Sequence, residues 1–283
     1  MPAIRDSSAV KISRGQLPQH QSALTLLQGR LASPAHRTVG WLDLACGRGQ
    51  ILEGLTDSLS DLERSKIDFC AYDVDQDYAR ETHRAAALLG FAAVDITVGD
   101  LRQFDRLLPE NKSYDFITLT NTVHEVAPSA LAHLLADAVC RLTERGVLFV
   151  YDMERIEPPE LGALSWTGPD MRVIVDQLMK GFGVHGYHPG VGRWHHRTVD
   201  GWNLQVDRQD VGLSDDALKA RRATAVSETG KVIRGLMSRR LEECCQTLKA
   251  FTEHGVETAE EQTDKTHLLY EYWALSRALG DAR

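Results

Sequence analysis

Four short stretches of this 283-residue sequence place polar side chains where they could meet a ligand. In the first, Trp41-Leu42-Asp43-Leu44-Ala45-Cys46-Gly47-Arg48-Gly49-Gln50, an apolar run containing an acid gives way to small residues and then to an amphipathic segment. Gly47 and Gly49 permit backbone conformations closed to residues with a Cβ, and they let a ligand approach the main chain. A helix start beyond them offers unpaired N–H groups to a polar ligand. The second stretch runs from Ile67 into Asp73 and Asp75, and the third, Ile96 to Leu101, carries Asp100. The fourth, Tyr114 to Val126, carries Asn121, His124 and Glu125. A histidine has an ordinary pKa suited to general-base work near neutral pH. Glu125 could serve instead or pair with it, and His124 could also be a helix-start residue that only lines a pocket.

The elements that must hold these residues show in the hydrophobic pattern. Apolar runs at Val39–Leu44, Ile67–Tyr72, Val94–Val98, Phe116–Thr120 and Val147–Tyr151 are too short for helices and suit buried strands. Between them lie helical patterns near 49–60, 77–89, 101–107 and 129–143. This alternation predicts an α/β fold with a parallel sheet built from βαβ units. A helix over 16–31 precedes it, with Leu24, Leu27 and Leu31 on one face, after a polar arm and before a break at Ser33-Pro34-Ala35. A proline-rich loop at 154–169 and a helix at 170–181 follow. A β region at 184–210 contains a hairpin whose turn is expected at Val199-Asp200-Gly201, between Trp194 and Trp202.

Beyond Ser214 the composition turns helical, over 214–252 and 259–279. Gly255 is placed to end the first helix, and Thr258 with Glu261 has capping-box spacing. Leu241, Cys244, Leu248 and Phe251 form one stripe, and Leu269, Tyr272, Trp273 and Leu279 another, so two antiparallel helices are expected to pack along them. The domain organisation read from these shifts is an N-terminal arm and helix over 1–35, a main domain over 36–212 and a helical extension over 213–283.

Composition narrows the function. Thirty-two basic against forty acidic residues give a net charge of −8, which argues against general affinity for nucleic acid. Five cysteines with no CxxC pair, Cys244 and Cys245 being neighbours, fit neither a disulfide framework nor a zinc finger and point to a reduced, cytoplasmic setting. No membrane partner is expected, because no apolar stretch approaches the roughly 20 residues a membrane span needs. A dinucleotide fingerprint wants a third glycine three residues after Gly49, where Leu52 stands, and a P-loop wants Gly-Lys-Ser/Thr, which is absent. His185, His188, His195 and His196 form no metal set, since adjacent strand residues face opposite ways and no carboxylate or cysteine set accompanies them. Trp166, Tyr187, Trp194 and Trp202 read as a pocket lining or as core, and Lys219, Arg221, Arg222, Arg239 and Arg240 as a solvated helix face.

The first stretch resembles motif I of class I S-adenosylmethionine-dependent methyltransferases, with Ala45 in place of the first glycine. The other three stretches resemble the family's later motifs in order, over roughly residues 36–210. The resemblance implies a Rossmann-like, mostly parallel seven-stranded sheet with helices on both faces, the last strand antiparallel. It implies S-adenosylmethionine as cofactor and S-adenosylhomocysteine as product. Asp43 would lie near the methionine amine, with Ala45, Cys46, Gly47 and Gly49 forming the bend. Asp73 would accept from the ribose hydroxyls, with Asp75 as the alternative or as a helix cap. Asp100 would accept from the adenine amine, Val74 or Leu101 would pack on the ring, and Asn121 would face the cofactor crevice. His124 or Glu125 would be the base. No Asn/Asp-Pro-Pro-Tyr signature follows the fourth strand, since Asn121 precedes Thr122 and Val123. A small-molecule hydroxyl or carboxyl acceptor is therefore expected, ahead of a protein acceptor. The competing readings are a non-catalytic cofactor-binding or regulatory module, whose C-terminal helices form a partner or homodimer platform, and a nicotinamide oxidoreductase.

Overall fold

A computed structural model describes residues 17–33, 38–110, 112–196, 199–256 and 258–280. Seven strands, β1 (Val39–Leu44), β2 (Ile67–Asp73), β3 (Ala93–Val98), β4 (Tyr114–Thr120), β5 (Leu142–Met153), β6 (Gly190–His196) and β7 (Val199–Asp207), form one sheet in the order β3-β2-β1-β4-β5-β7-β6. β1 to β5 are parallel, and β7 runs antiparallel to both β5 and β6. β1 lies between β2 and β4, so the strand order reverses there, and the crevice outside the carboxyl ends of these strands is where such sheets bind ligands.

Successive strand residues face opposite sides, and the core divides accordingly. Trp41, Phe69, Phe116 and Phe149 lie under α1 (Pro18–Ala32) and α2 (Gln76–Leu88), against Ala23, Leu27, Leu31 and Ala86. Leu42, Cys70, Ile117 and Leu148 lie under α3 (Pro128–Cys140), α4 (Gly168–Phe182) and α5 (Asp215–His254). The Trp41 and Phe69 rings meet edge to face at 4.9 Å. Burying each such ring contributes about 1.5–3 kcal/mol over leaving it in water.

Several expectations are corrected. The helix expected over 49–60 is broken into a 3₁₀ turn, Gln50–Leu52, and a one-turn helix, Leu55–Ser58. Ser60 and Glu63 then form a reciprocal capping box that starts a separate turn, Asp61–Arg64. The 101–107 helix is likewise split, into Leu101–Gln103 and Phe104–Leu107. Val199, Asp200 and Gly201 are not a turn but the start of β7, where Gly201 pairs with both Trp194 and Met153. The glycine is needed for another reason: a Cβ there would meet the Trp194 indole at 2.0 Å. The hairpin connection falls at 197–198, outside the described residues, as do the arm over 1–15 and Pro34-Ala35 of the expected break.

α5 and α6 (Ala259–Gly280) carry the C-terminal region. The first part of α5 belongs to the main core, with Leu218, Ala225, Ile233 and Leu236 buried. Arg222 pairs with the buried Asp137 of α3, and Arg221 donates to the Phe182 carbonyl at the end of α4. These contacts, not solvent, take up much of the basic run. Gly255 ends α5 at φ +80°, and Thr258 with Glu261 caps α6. The inner face of α6 differs from the expected stripe: Ala274 and Leu275 are buried, whereas Leu269, Tyr272 and Trp273 are 39–46% exposed. Apolar residues from Leu268 to Leu275 lie all around this helix, so periodicity selects no unique face. Among the described residues, no helix is long and apolar enough to cross a membrane.

Candidate active site

The bend after β1 is built from three left-handed residues, Ala45 (φ +56°), Gly47 (φ +52°) and Gly49 (φ +73°). Its main chain is tied down by the Cys46 N–H on the Tyr72 carbonyl and the Gly49 N–H on the Cys46 carbonyl, both at 3.0 Å. The Thr82 hydroxyl of α2 donates to the Gly47 carbonyl at 2.8 Å. Ala45 occupies a backbone region that costs a residue with a Cβ about 1–2 kcal/mol.

Two buried carboxylates flank this bend. Asp43, 2% exposed at the end of β1, accepts from the Thr118 hydroxyl at 2.6 Å, and Thr118 in turn accepts from the Trp41 indole at 2.9 Å. Burial raises the Asp43 pKa from an ordinary 3.8 to about 7; the Thr118 hydrogen bond opposes the rise and the charge of Asp73 adds to it. Asp73, at the end of β2, accepts the Gly47 N–H at 2.7 Å on one oxygen and the Asp75 N–H at 2.8 Å on the other. Each oxygen keeps a further lone pair for a ligand. Asp75 accepts from the Asp77 and Tyr78 N–H groups and so caps α2, which was the alternative reading for it.

A cleft of about 710 Å³ opens over the bend. Asp43, Ala45, Cys46, Gly47, Asp73 and Val74 line it on the β1–β2 side, and Asp100, Leu101, Asn121 and Glu125 on the other. Two of the residues singled out in the sequence do not line it: Gly49, which packs its backbone against Thr82, and His124, which stands behind Glu125. Asp100 is already engaged, since Arg102 holds its carboxylate through Nε at 2.9 Å and Nη2 at 2.5 Å. That hydrogen bonding keeps the Asp100 pKa below the usual range and leaves the group less free to receive an amine than the sequence suggests. Cys46 is buried, and burial raises its thiol pKa strongly, so no nucleophile is present there.

Sequence reasoning passed over several members of the site. His20 of α1 reaches the cleft, as do Arg48 and Tyr78, which stack at 4.8 Å. The most important is Asp152. His124, 5% exposed, sits in a 3₁₀ turn after β4, and both its backbone N–H and its ring Nδ1 engage the Asp152 carboxylate, at 2.9 and 2.8 Å. An acceptor-only carboxylate fixes Nδ1 as the donor and leaves Nε2 of the neutral ring with a free lone pair. Nε2 lies 3.8 Å from Glu125. Burial opposes charging this ring, but the Asp152 hydrogen bond and the charges of Asp152, Glu125 and Glu160 outweigh it, and the pKa stands above 6.5. Burial raises Glu125 as well, with His124 pulling the other way. The only signal in the sequence was an acid at the end of the fifth strand.

His124, Glu125 and Glu160 bring one ring nitrogen and two carboxylate oxygens within 4.8 Å of one another, the one group of metal-ligand type found among the described residues. It does not include the histidines of the β region: His195 pairs with Asp200 at 2.7 Å, and the side chain of His196 is outside the description. Trp166 and Trp202 are fully buried and Trp194 stacks on Tyr151 at 4.8 Å, so these aromatic side chains are core rather than pocket wall.

A cleft at the switch point, a glycine-rich bend after β1 and an acid closing β2, in a seven-stranded sheet of this order, make up a Rossmann-like methyltransferase fold. Residues 42–146 match the family described as "Methyltransferase domain". Similar solved structures include magnesium protoporphyrin IX methyltransferase from Synechocystis PCC 6803 with bound S-adenosylhomocysteine, at 14% identity over 66% of this chain and 81% of that one, TM-score 0.46. A SAM-dependent methyltransferase from Aquifex aeolicus is 18% identical over 69% and 93% of the two chains, TM-score 0.45. An rRNA methylase from Streptococcus thermophilus is 10% identical over 67% and 95%, TM-score 0.44. No curated protein matches the sequence.

The cleft suits the cofactor of such domains. S-adenosylmethionine carries an ammonium and a sulfonium, and the cleft sets two buried carboxylates beside its bend, Asp43 with its pKa raised to about 7 by burial. Val74, 71% exposed, and Leu101 offer apolar surface for a purine.

Proposed function

We propose that this chain is an S-adenosylmethionine-dependent methyltransferase that moves a methyl group to a hydroxyl of a small molecule, with His124 as the general base. The observation that carries the reading is the His124 ring, held by Asp152 with Nε2 directed to the Glu125 edge of the cofactor cleft. When bound, S-adenosylmethionine supplies a methyl group on a positively charged sulfur, ready for in-line displacement. The residues need only bind, orient, exclude water and take a proton. Asp73 would hold the ribose hydroxyls, Asp43 the methionine ammonium and Val74 and Leu101 the purine, with Asn121 facing the same cleft. His124 Nε2 receives the acceptor's hydroxyl proton, and Asp152 stabilises the imidazolium so formed. Of the two acceptors favoured by the sequence, a carboxylate is the poorer: Glu125 and Glu160 would repel it and it has no proton to give. In this scheme residues 36–212 form the transferring domain and 213–283 an extension on its acceptor side.

Calorimetric titration of S-adenosylmethionine and S-adenosylhomocysteine into wild type and Asp73→Ala tests the cofactor half. The substitution is expected to weaken both ligands by about 1.5–3 kcal/mol, the scale of a lost charge-assisted hydrogen-bond pair. Undiminished affinity in a folded variant would refute the role given to Asp73.

A further inference from the structure

A second cavity, of about 720 Å³, lies between the 154–167 loop and the helices α5 and α6. The two come near each other at His124. Glu160 lines the second cavity and Glu125 the cofactor cleft, and a carboxylate oxygen of each lies within 4.8 Å of a His124 ring nitrogen and of the other. The loop is fastened there, since the Leu164 N–H donates to the His124 carbonyl at 2.8 Å. His124 lines neither space, but its ring lies beside one carboxylate from each, and each space is large enough for a small organic molecule.

The walls of the second space say what would fill it. Leu236 and Phe251 from α5, with Leu268 and Tyr270 from α6, supply apolar and aromatic surface. Most of its charges are spent internally: Arg155 on Asp264 at 2.9 Å, and Arg240 on Glu271 and on the Ser165 carbonyl. Arg239 stands one helical turn before Glu243 on α5, where opposite charges offset each other. Glu154 accepts from the Gly168 N–H and Asp170 from the Thr167 N–H at the start of α4, which leaves Glu160, at the His124 end, as the carboxylate most open to a ligand in a lining richer in acids than in arginines.

We infer that this second cavity is the acceptor site, and that it takes a ring-bearing hydroxyl compound that is neutral or cationic, its hydroxyl toward Glu160 and His124 and its ring against α5 and α6. The inference rests on the methyltransferase reading for the reaction, but the binding of the acceptor body can be tested without cofactor. It also gives the C-terminal helices a task within catalysis.

Saturation-transfer NMR and calorimetry with three probes, tyramine, p-cresol and 4-hydroxyphenylacetate, decide it. Tyramine and p-cresol are expected to bind at millimolar concentration or below, and 4-hydroxyphenylacetate about tenfold more weakly than tyramine, given the excess of carboxylates over arginines around the cavity. Thr247 lines the cavity from an exposed position on α5, so Thr247→Trp should fill the space and weaken tyramine by about tenfold or more. Lys249→Trp, on the same helix outside the cavity, should leave it unchanged. Saturating S-adenosylhomocysteine should not displace tyramine. Absence of saturable binding, equal binding to Thr247→Trp, preference for the anionic probe, or displacement by S-adenosylhomocysteine would each overturn the assignment. If S-adenosylhomocysteine itself does not bind wild type, the cofactor reading falls while the probe data still decide the cavity.

Discussion

The two cavities on either side of His124, one lined by Glu125 and the other by Glu160, are built by different means. The cofactor cleft is made of backbone: a bend of left-handed residues, tied to its neighbours by N–H and carbonyl groups, with one acid from each adjoining strand end. The second cavity is made of side chains, from a loop and two long helices, with Arg155 and Asp264 of its wall 109 residues apart in the chain. A site of the first kind is stiff and tolerates few residue types. A site of the second kind can be reshaped by changing side chains while the sheet stays as it is. A cofactor shared across a superfamily suits the first construction, and an acceptor particular to one enzyme suits the second.

That contrast is sharpest at the junction. His124→Asn keeps a donor toward Asp152 but removes the base, and should lower kcat by about 10²–10⁴-fold while leaving S-adenosylhomocysteine affinity unchanged. A similar loss of cofactor affinity would mean that His124 belongs to the cleft. The pH dependence of kcat carries the same information. The base must be neutral, so the rate should rise with pH to a midpoint above 6.5, and Asp152→Asn, which removes the raising hydrogen bond and charge, should move that midpoint down.

Asp43 tests the backbone-built side. Its folded pKa, about 7, lies above its ordinary 3.8, so the ligand-free fold favours the protonated acid. The associated stability is fully present below about pH 4 and is lost as pH rises through about 7, a change of order 4 kcal/mol. Urea melts of Asp43→Asn should lack this slope and show a ligand-free protein more stable than wild type at pH 8. The same variant should bind S-adenosylmethionine about tenfold or more weakly, having lost the charge that meets the ammonium. The smallest effect is expected at the bend itself. Ala45→Gly should relieve a left-handed alanine and stabilise the protein by about 1 kcal/mol, read as a rise in Tm, with cofactor affinity nearly unchanged.

The same contrast explains how much could be read from the sequence. The five parallel strands and most of the cleft-lining positions were legible because each motif is local: Asp43 to Gly49 is one bend, Asp73 closes β2, and Asp100 follows β3. Short-range chemistry also misled. The Gly201 position looks like a turn until the Trp194 ring is laid over it, and the expected 49–60 helix ignores the restart that Ser60 and Glu63 impose. What the sequence hid was assembly at a distance. Asp152 is 28 residues from His124, and Glu160 joins them only because the loop folds back on the His124 carbonyl. The inner face of α6 could not be read at all, because apolar side chains surround it and packing against α5 makes the choice.

Thr118 has one further consequence. Its hydroxyl stands between the Trp41 indole and the Asp43 carboxylate, accepting from one and donating to the other. A charge arriving at or leaving Asp43 is therefore felt two hydrogen bonds away by a chromophore sealed in the interior. The molecule contains an optical gauge of its own occupancy: Trp41 emission should shift in wavelength as the ammonium docks, and Thr118→Val should disconnect it.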